Sequence, residues 1–150
     1  MEEYFEYPHH NNEITGFLEN LNNNINVTWN PKEMHFWHKE GGKKQRGIKI
    51  ADMSRSHTTI STITFSHKFR LYLVVTADFR MFFINENLFV VQVADMSNIR
   101  LVNYAVFNDK DSQLIVGGIN GVFVYDFNYK SKYSPQMAAT IDQEGKHINI

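Results

Sequence analysis

Residues 48–54 read IKIADMS, and residues 91–97, 43 positions later, read VQVADMS. The segment that follows the first copy, ISTITFS at 60–66, corresponds to VNYAVFN at 102–108, which lies 42 positions further on. Two correspondences in the same order and at nearly the same spacing indicate an internal structural repeat, and a period near 42 residues narrows the architectures that this chain can adopt.

A third pair of segments extends the repeat. Residues 78–85, DFRMFFIN, correspond to residues 120–126, NGVFVYD, whose ends lie 41 positions apart. Within each period, short apolar runs alternate with turn residues, which predicts antiparallel strands. Asn120-Gly121 is a strong hairpin signal, because both residues tolerate a positive φ. The predicted strands are 60–66, 71–77, 80–84 and 88–93 in the first unit, and 101–107, 113–118 and 122–127 in the second.

The runs LYLVVTADFRMFFIN and QLIVGGINGVFVYD resemble the WD repeat, in which a small-residue strand and a tight turn precede a strand ending near Trp-Asp. The Trp position is occupied here by Ile84 and Tyr125, and the Asp position by Asn85 and Asp126. The period also lies in the WD-repeat range of roughly 40–45 residues. This resemblance covers about residues 47–127 and implies an all-β fold, a partial β-propeller with two complete four-stranded antiparallel blades.

Partial blades are expected at each end of this region. Strands of an earlier unit are predicted at 24–29, 33–38 and 47–53. Residues 136–142 are expected to form the fourth strand of the second unit, and residues 146–150 the first strand of a further blade. Since a closed ring needs at least four blades, residues 24–150 are expected to be a partial propeller, the N-terminal part of a longer one or a ring completed by another chain.

Residues 1–23 are predicted to be a polar leader that contains a short amphipathic helix over residues 12–21. Apolar side chains recur there at the spacing of one helix face, and Asn12 can cap the N-terminus. Gly16 lowers the stability of such a helix by about 1 kcal/mol. The helix either packs on its own blades or docks on a neighbouring protein. The candidate partner-binding residues are Ile14, Phe17, Leu18 and Leu21.

The one basic cluster of the sequence consists of Lys43, Lys44 and Arg46, which follow two glycines. A cluster of this kind either makes an electrostatic contact with an acidic partner or belongs to a solvated loop. The net charge of −1 supplies no general field for nucleic acid. We therefore retain the three residues as a candidate partner-binding site and expect no nucleic acid.

Candidate chemical sites are weak in this sequence. Histidines 35 and 38 lie three apart on a predicted strand and therefore point to opposite faces, so they cannot readily share one metal ion. Residues 108–112 lack the glycine and terminal glutamate of an EF-hand loop. Residues 117–121 lack the lysine and helix of a phosphate-binding loop. With no cysteine and no Gly-x-Ser-x-Gly motif, we expect no catalytic, metal or cofactor site and no enzyme activity.

The sequence also carries no membrane or secretion signal. Its N-terminus is acidic and lacks the basic and apolar regions of a signal peptide. The longest dense apolar run, residues 71–77, is too short to cross a bilayer. We therefore expect an intracellular, cytoplasmic protein without membrane contact.

The resemblance to WD-repeat propellers implies a scaffold that binds other proteins and takes no small-molecule substrate. Residues 57–88 are most similar to the WD-repeat proteins of cilia and flagella, including those related to EF-hand-bearing members. This similarity implies a structural component of the axoneme with microtubule-associated partners. Two alternatives remain open: a propeller that binds a polyanion (phosphoinositide or nucleic acid) through the basic cluster, and the interaction domain of a larger enzyme.

Overall fold

The computed structural model describes residues 13–20, 23–54, 57–95, 101–119, 121–128 and 147–149. These residues form three four-stranded β-sheets and one helix of four residues. The predicted all-β fold with four-stranded antiparallel blades is therefore confirmed. The chain divides into two compact units, Met1–Ile60 and Ser61–Ile150, which are described separately.

The first unit contains sheet A, whose four strands follow one another in chain order and pair antiparallel. They are β1 (Gly16–Asn20), β2 (Ile25–Trp29), β3 (Glu33–His38) and β4 (Lys44–Lys49). The strands predicted at 24–29 and 33–38 are confirmed. The unit predicted to be partial is thus a complete four-stranded sheet, because β1 supplies the strand that the sequence did not reveal.

The helix predicted over residues 12–21 is wrong, since residues 16–20 form strand β1. Gly16 explains the difference, because its backbone lies directly against the indole of Trp29. A Cβ placed on Gly16 would be 2.0 Å from Trp29 Cε2. The backbone N–H of Thr15 also donates a hydrogen bond to the Trp29 carbonyl, at 2.8 Å. Glycine weakens a helix interior but permits this close approach, so strand pairing outweighs the helical spacing of the apolar residues.

This contact predicts a measurable effect of a single methyl group. Gly16→Ala is expected to lower the free energy of unfolding by about 1–3 kcal/mol, because the methyl must displace the buried Trp29 ring. Urea denaturation monitored by far-UV circular dichroism measures this change, since both units consist of β-sheets. The matched control is Gly117→Ala, whose methyl meets the ring of Tyr104, a half-exposed side chain that can swing away. If both variants lost the same free energy of unfolding, the contact of Gly16 with the buried Trp29 ring would not be what requires a glycine at this position.

The outer strand predicted at 47–53 is correct only up to Lys49. Residues 50–53 instead form the helix α1 (Ile50–Met53). Strand β4 pairs with β3 as far as Glu33 opposite Lys49, where β3 begins. The backbone N–H of Ile50 then bonds to the carbonyl of Lys32 in the β2–β3 turn, at 2.8 Å. The strand ends there because its partner strand has ended.

Sheet B is formed by the first repeat unit and has its strands in chain order. They are β5 (Ile60–Ser66), β6 (Leu71–Thr76), β7 (Arg80–Asn85) and β8 (Val90–Asp95). The four strands that the sequence predicted for this unit are confirmed, with ends that differ by at most two residues.

Sheet C is formed by the second repeat unit. Its strands, in spatial order, are β9 (Tyr104–Phe107), β10 (Gln113–Gly118), β11 (Gly121–Asn128) and β12 (His147–Asn149). The first three pair antiparallel, and the strands predicted at 113–118 and 122–127 are confirmed, whereas the strand predicted at 101–107 begins only at Tyr104. Strand β12 pairs parallel with β11. The prediction that 146–150 begin a further blade is therefore wrong for 147–149, which bond to the available edge of β11. The fourth strand predicted at 136–142 lies outside the described residues.

Sheets B and C of the second unit pack against each other through a shared apolar core. Phe83 of sheet B approaches Phe127 of sheet C, with ring centroids 6.0 Å apart, and Phe79 approaches Tyr125 at 5.9 Å. Other members of this core are Leu71, Leu73, Val75 and Met81 from sheet B, Ala105, Leu114 and Val116 from sheet C, and Val102, which lies just before β9. The two repeat units therefore form one continuous hydrophobic core.

A buried carboxylate also joins the two sheets at their turns. Asp111, in the β9–β10 turn, accepts hydrogen bonds through Oδ2 from Ser66 Oγ at 3.1 Å and from the backbone N–H of Lys68 at 2.9 Å. Both donors belong to the end of β5 and the turn that follows it. The Asp-rich segment 108–112 is therefore a structural turn that fastens one repeat unit to the other.

Asp111→Ala is expected to lower the free energy of unfolding by about 1–3 kcal/mol, because the Lys68 N–H and the Ser66 hydroxyl lose their acceptor. Asp111→Asn should lose less, since asparagine keeps a carbonyl oxygen and tolerates the left-handed backbone at this position, φ 54°. Urea denaturation monitored by circular dichroism measures both. Asp109→Ala, at an exposed neighbouring position, is the control and should change stability by less than about 0.5 kcal/mol. If Asp111→Ala lowered the free energy of unfolding as little as Asp109→Ala does, this would contradict the role of Asp111 in joining the two repeat units.

Candidate interaction surfaces

The structure separates the residues of the predicted docking helix. Phe17 and Leu18 are neighbours on β1, so their side chains point to opposite faces of sheet A. Phe17 is exposed and Leu18 is half-buried, while Ile14 is exposed just before the strand. Leu21 lies outside the described residues. Phe17 and Leu18 therefore do not share the single apolar face that a helix would have given them.

The basic cluster lies on an edge of sheet A. Lys44 and Arg46 belong to β4, the last strand of the sheet, and Lys43 immediately precedes it. All three side chains are exposed. A β-bulge between Phe36 and Trp37 interrupts the pairing of β3 with this part of β4. Lysines and bulges on edge strands commonly prevent unwanted strand pairing, and a row of cations can equally attract an acidic partner.

Polar side chains of sheet A form a buried structural cluster. Trp37 Nε1 donates a hydrogen bond to Thr28 Oγ1 at 2.9 Å. His35 stacks on the Trp37 ring at 5.7 Å, and its Nε2 lies 3.6 Å from Glu33 Oε1. His38, at the end of the strand, is exposed, as expected for residues three apart on a strand. Within the described residues, no group of three or more His, Cys, Asp or Glu side chains could hold a metal ion.

One exposed apolar surface of the second unit is a face of sheet C that the sequence did not predict. Val106 and Val124 both lie opposite Ile115, and Tyr104 and Val122 both lie opposite Gly117. Val122 is 60% exposed, Tyr104 is 40% exposed and Val124 is 37% exposed. We call this surface the open face; it consists of Tyr104, Val106, Ile115, Val122 and Val124.

The repeat shows that the open face has a covered counterpart in sheet B. Met81 and Phe83 occupy the positions of Val122 and Val124, at the 41-residue offset found in the sequence. Both are fully buried against sheet C. The strand pairing agrees, because Val75 lies opposite Met81 as Gly117 lies opposite Val122. The same face of the repeat is therefore buried in one sheet and exposed in the next. The repeat in the sequence shows that these positions are equivalent, and the structure shows that their burial differs.

Among the described residues, charged groups lie outside the open face. Gln113 and Asp126 face each other at one end of it, with Nε2 and Oδ1 3.5 Å apart. The hydrogen bond and the charge of Glu86 raise the pKa of Arg70 above its usual value, but this exposed ion pair belongs to the turns of sheet B. The open face is therefore apolar across its centre.

In the part of the chain that the structure describes, no helix is long and apolar enough to cross a membrane. No protein-family model matches the sequence, and no curated protein matches it.

Solved structures do resemble the fold, and 104 chains match. One is the crystal structure of the C-terminal WD40 domain of Sif2, with a TM-score of 0.60 and 13% sequence identity. The match covers 78% of this chain and 32% of that domain, so the chain spans about a third of its length. At this identity the likeness shows the fold, which is that of a partial WD40 β-propeller.

Proposed function

We propose that the protein is a protein–protein interaction scaffold and that the open face of sheet C is a docking surface. The observation that supports this proposal is the contrast between equivalent positions of the two repeats. Met81 and Phe83 are fully buried, whereas Val122 and Val124 are exposed. A contiguous apolar surface of this kind marks a binding site more often than a solvated surface.

The surroundings of the open face suit a rigid docking platform. Its strands β9, β10 and β11 are fixed from behind by the core shared with sheet B. Tyr104 supplies an aromatic side chain at one side of the face, and tyrosine is enriched among the residues that dominate binding energy. A surface held in one conformation loses little entropy when a partner binds. The WD40-type fold supports the same proposal, because it offers a framework without a built-in reactive group.

The test is to purify the full chain from cells that express it, and to identify bound proteins by cross-linking and mass spectrometry. Val124→Glu and Val122→Glu are expected to reduce recovery of a partner about tenfold or more, because a buried unpaired charge opposes docking. Val93→Glu is the matched control, since Val93 is an exposed valine on β8 of sheet B. Equal recovery in all variants would contradict the proposal.

A second candidate is binding of a polyanion, such as a phosphoinositide or nucleic acid, by Lys43, Lys44 and Arg46. The exposure of all three on and beside one edge strand favours it. It predicts binding that weakens steeply as salt rises and that Lys44→Glu with Arg46→Glu abolishes. Binding that is insensitive to salt and to these substitutions would exclude it.

The cellular setting that we propose is the axoneme of a cilium or flagellum, with microtubule-associated partners. This proposal rests on the resemblance of residues 57–88 alone. The tagged full chain, expressed in ciliated cells, should co-sediment with detergent-extracted axonemes. A uniformly cytoplasmic distribution would contradict it, and the docking role of the open face would stand independently.

A further inference from the structure

The outer edge of strand β4 has the geometry to accept a further strand. In the portion of the chain that the structure describes, β4 pairs with β3 on one side only, so backbone N–H and C=O groups along its other edge point away from sheet A. The strand is six residues long, and five of the six are exposed. An extended peptide can pair with such an edge through its own backbone.

The charged side chains from position 43 to position 49 are all basic. They are Lys43, which precedes the strand, and Lys44, Arg46 and Lys49 within it. Neither Lys43 nor Lys44 forms an ion pair with another described residue, whereas Lys39 of the same unit pairs with Glu19. A partner strand rich in carboxylates would supply the missing counter-charges.

Protection against unwanted strand pairing does not account for this charge. Strand β8, the last strand of sheet B, is also an edge, and its sequence VVQVAD contains no basic residue. Val90 and Val93 are exposed on it, so β8 would need protection more than β4 does. Basic residues on β4 alone are better explained by selection, because they attract an acidic strand and disfavour apolar or basic ones.

The β-bulge directs the basic side chains to both faces of sheet A. Lys44 lies opposite Trp37 and Arg46 lies opposite Phe36. Trp37 and Phe36 are successive residues of β3, so they point to opposite faces, and cross-strand partners share a face. A strand in the plane of the sheet carries side chains on both faces, whereas a phosphoinositide or nucleic acid lying on one face would reach only part of this charge. The geometry therefore favours a peptide strand.

We propose that β4 binds an extended acidic peptide of another protein, which adds to sheet A as a further strand with carboxylates on both of its faces. Backbone hydrogen bonds would supply affinity and the carboxylates selectivity. This inference extends the proposed scaffold function to a second surface and does not depend on the open face. Val124→Glu, which is expected to weaken docking on the open face, should therefore leave binding of the peptide unchanged.

The probe is a fluorescein-labelled peptide in which pairs of glutamates are separated by single valines, and its binding to the full chain is measured by fluorescence anisotropy. Lys44→Gln with Arg46→Gln is expected to weaken binding about tenfold or more. Lys68→Gln with Lys110→Gln is the matched control, because both lysines are exposed in turns of the second unit, and it should bind as the unaltered chain does.

A second peptide separates strand addition from attraction of charge. It has proline in place of each valine, so its charge is unchanged but it lacks those N–H donors and cannot continue a ladder. It should bind about tenfold or more weakly than the valine peptide. Amide hydrogen exchange supplies the footprint: saturation with the valine peptide should slow exchange of the outward-facing β4 amides about tenfold or more and leave those of β8 unchanged.

Equal binding of the two peptides, or β4 amides that exchange equally fast with and without the valine peptide, would overturn strand addition and leave polyanion binding standing. Failure of both peptides to bind, or protection of β8 as well as β4, would overturn the inference too. If Lys44→Gln with Arg46→Gln does not fold by circular dichroism, a peptide with glutamine in place of every glutamate is compared instead, and undiminished binding of that peptide overturns it.

The N-terminal segment EEYFEY, residues 2–7, is also acidic, so one arm tests it as the occupant. Glu2→Gln, Glu3→Gln and Glu6→Gln are combined in the full chain. The valine peptide should bind this variant as it binds the unaltered chain. Binding about tenfold tighter would assign the β4 edge to the chain's own N-terminal segment, which overturns the proposed partner.

Discussion

Phe83→Ala is expected to lower the free energy of unfolding by about 3–5 kcal/mol. Phe83 is fully buried in the core between sheets B and C, and its ring centroid lies 6.0 Å from that of Phe127. Alanine would leave a cavity in a contact that both sheets depend on. A loss of this size is a large fraction of the 5–15 kcal/mol that typically stabilises a domain. Guanidinium denaturation followed by circular dichroism measures it.

The repeat provides the matched control for this variant. Val124 occupies the position in sheet C that Phe83 occupies in sheet B, but it is partly exposed. Val124→Ala should therefore cost less than about 1 kcal/mol, since little buried surface is lost. Similar losses at the two positions would mean that the open face is covered in the isolated chain, or that the two sheets do not share a core.

Trp37→Ala is expected to destabilise the first unit by about 3–5 kcal/mol. Its side chain is buried, stacks on His35 and donates a hydrogen bond to Thr28. Removal takes away the largest buried side chain of sheet A together with this hydrogen bond. Because Trp29 remains in β2, unfolding of the same unit can still be followed by tryptophan fluorescence.

A second substitution separates the hydrogen bond from the packing. Thr28→Val keeps the volume of the side chain but leaves the Trp37 N–H without the hydroxyl oxygen, which should cost about 1–3 kcal/mol. Trp37→Phe should fall between Thr28→Val and Trp37→Ala. A Thr28→Val variant as stable as the unaltered chain would show that this hydrogen bond does not stabilise sheet A.

Most of the fold could be predicted from the sequence because the repeat supplies two independent copies of each signal. The period near 42 residues and the Asn120-Gly121 turn predicted strands in both units, and the structure contains them. Strand β10 was predicted with its observed limits, Gln113–Gly118, since turn residues flank an apolar run on both sides.

The first strand could not be predicted because its local pattern favours a different structure. Residues 14 to 21 carry apolar side chains at helical spacing, and no second copy of this segment exists to correct the interpretation. The deciding contact is that of Gly16 with Trp29, which are 13 positions apart in the sequence. The parallel pairing of β12 is likewise a long-range contact, to which a three-residue strand contributes little sequence signal.

The open face was missed for a related reason. Valines and tyrosines at alternating positions of a strand predict an apolar face, but they do not show whether another element covers it. Only the structure distinguishes Val122 and Val124 from their buried counterparts. The exposure of Lys43, Lys44 and Arg46, in contrast, could be expected from the sequence, because charged side chains are rarely buried.

The most direct measurement compares single cysteines at equivalent positions of the two repeats, Met81→Cys in sheet B and Val122→Cys in sheet C, in a chain that otherwise has none. Thiol alkylation is followed under native conditions, at low protein concentration. We expect the cysteine at 122 to react about 100-fold or more faster than the cysteine at 81, because the latter reacts only when the core opens. Comparable rates at the two positions would contradict a buried face in one repeat and an open face in the next.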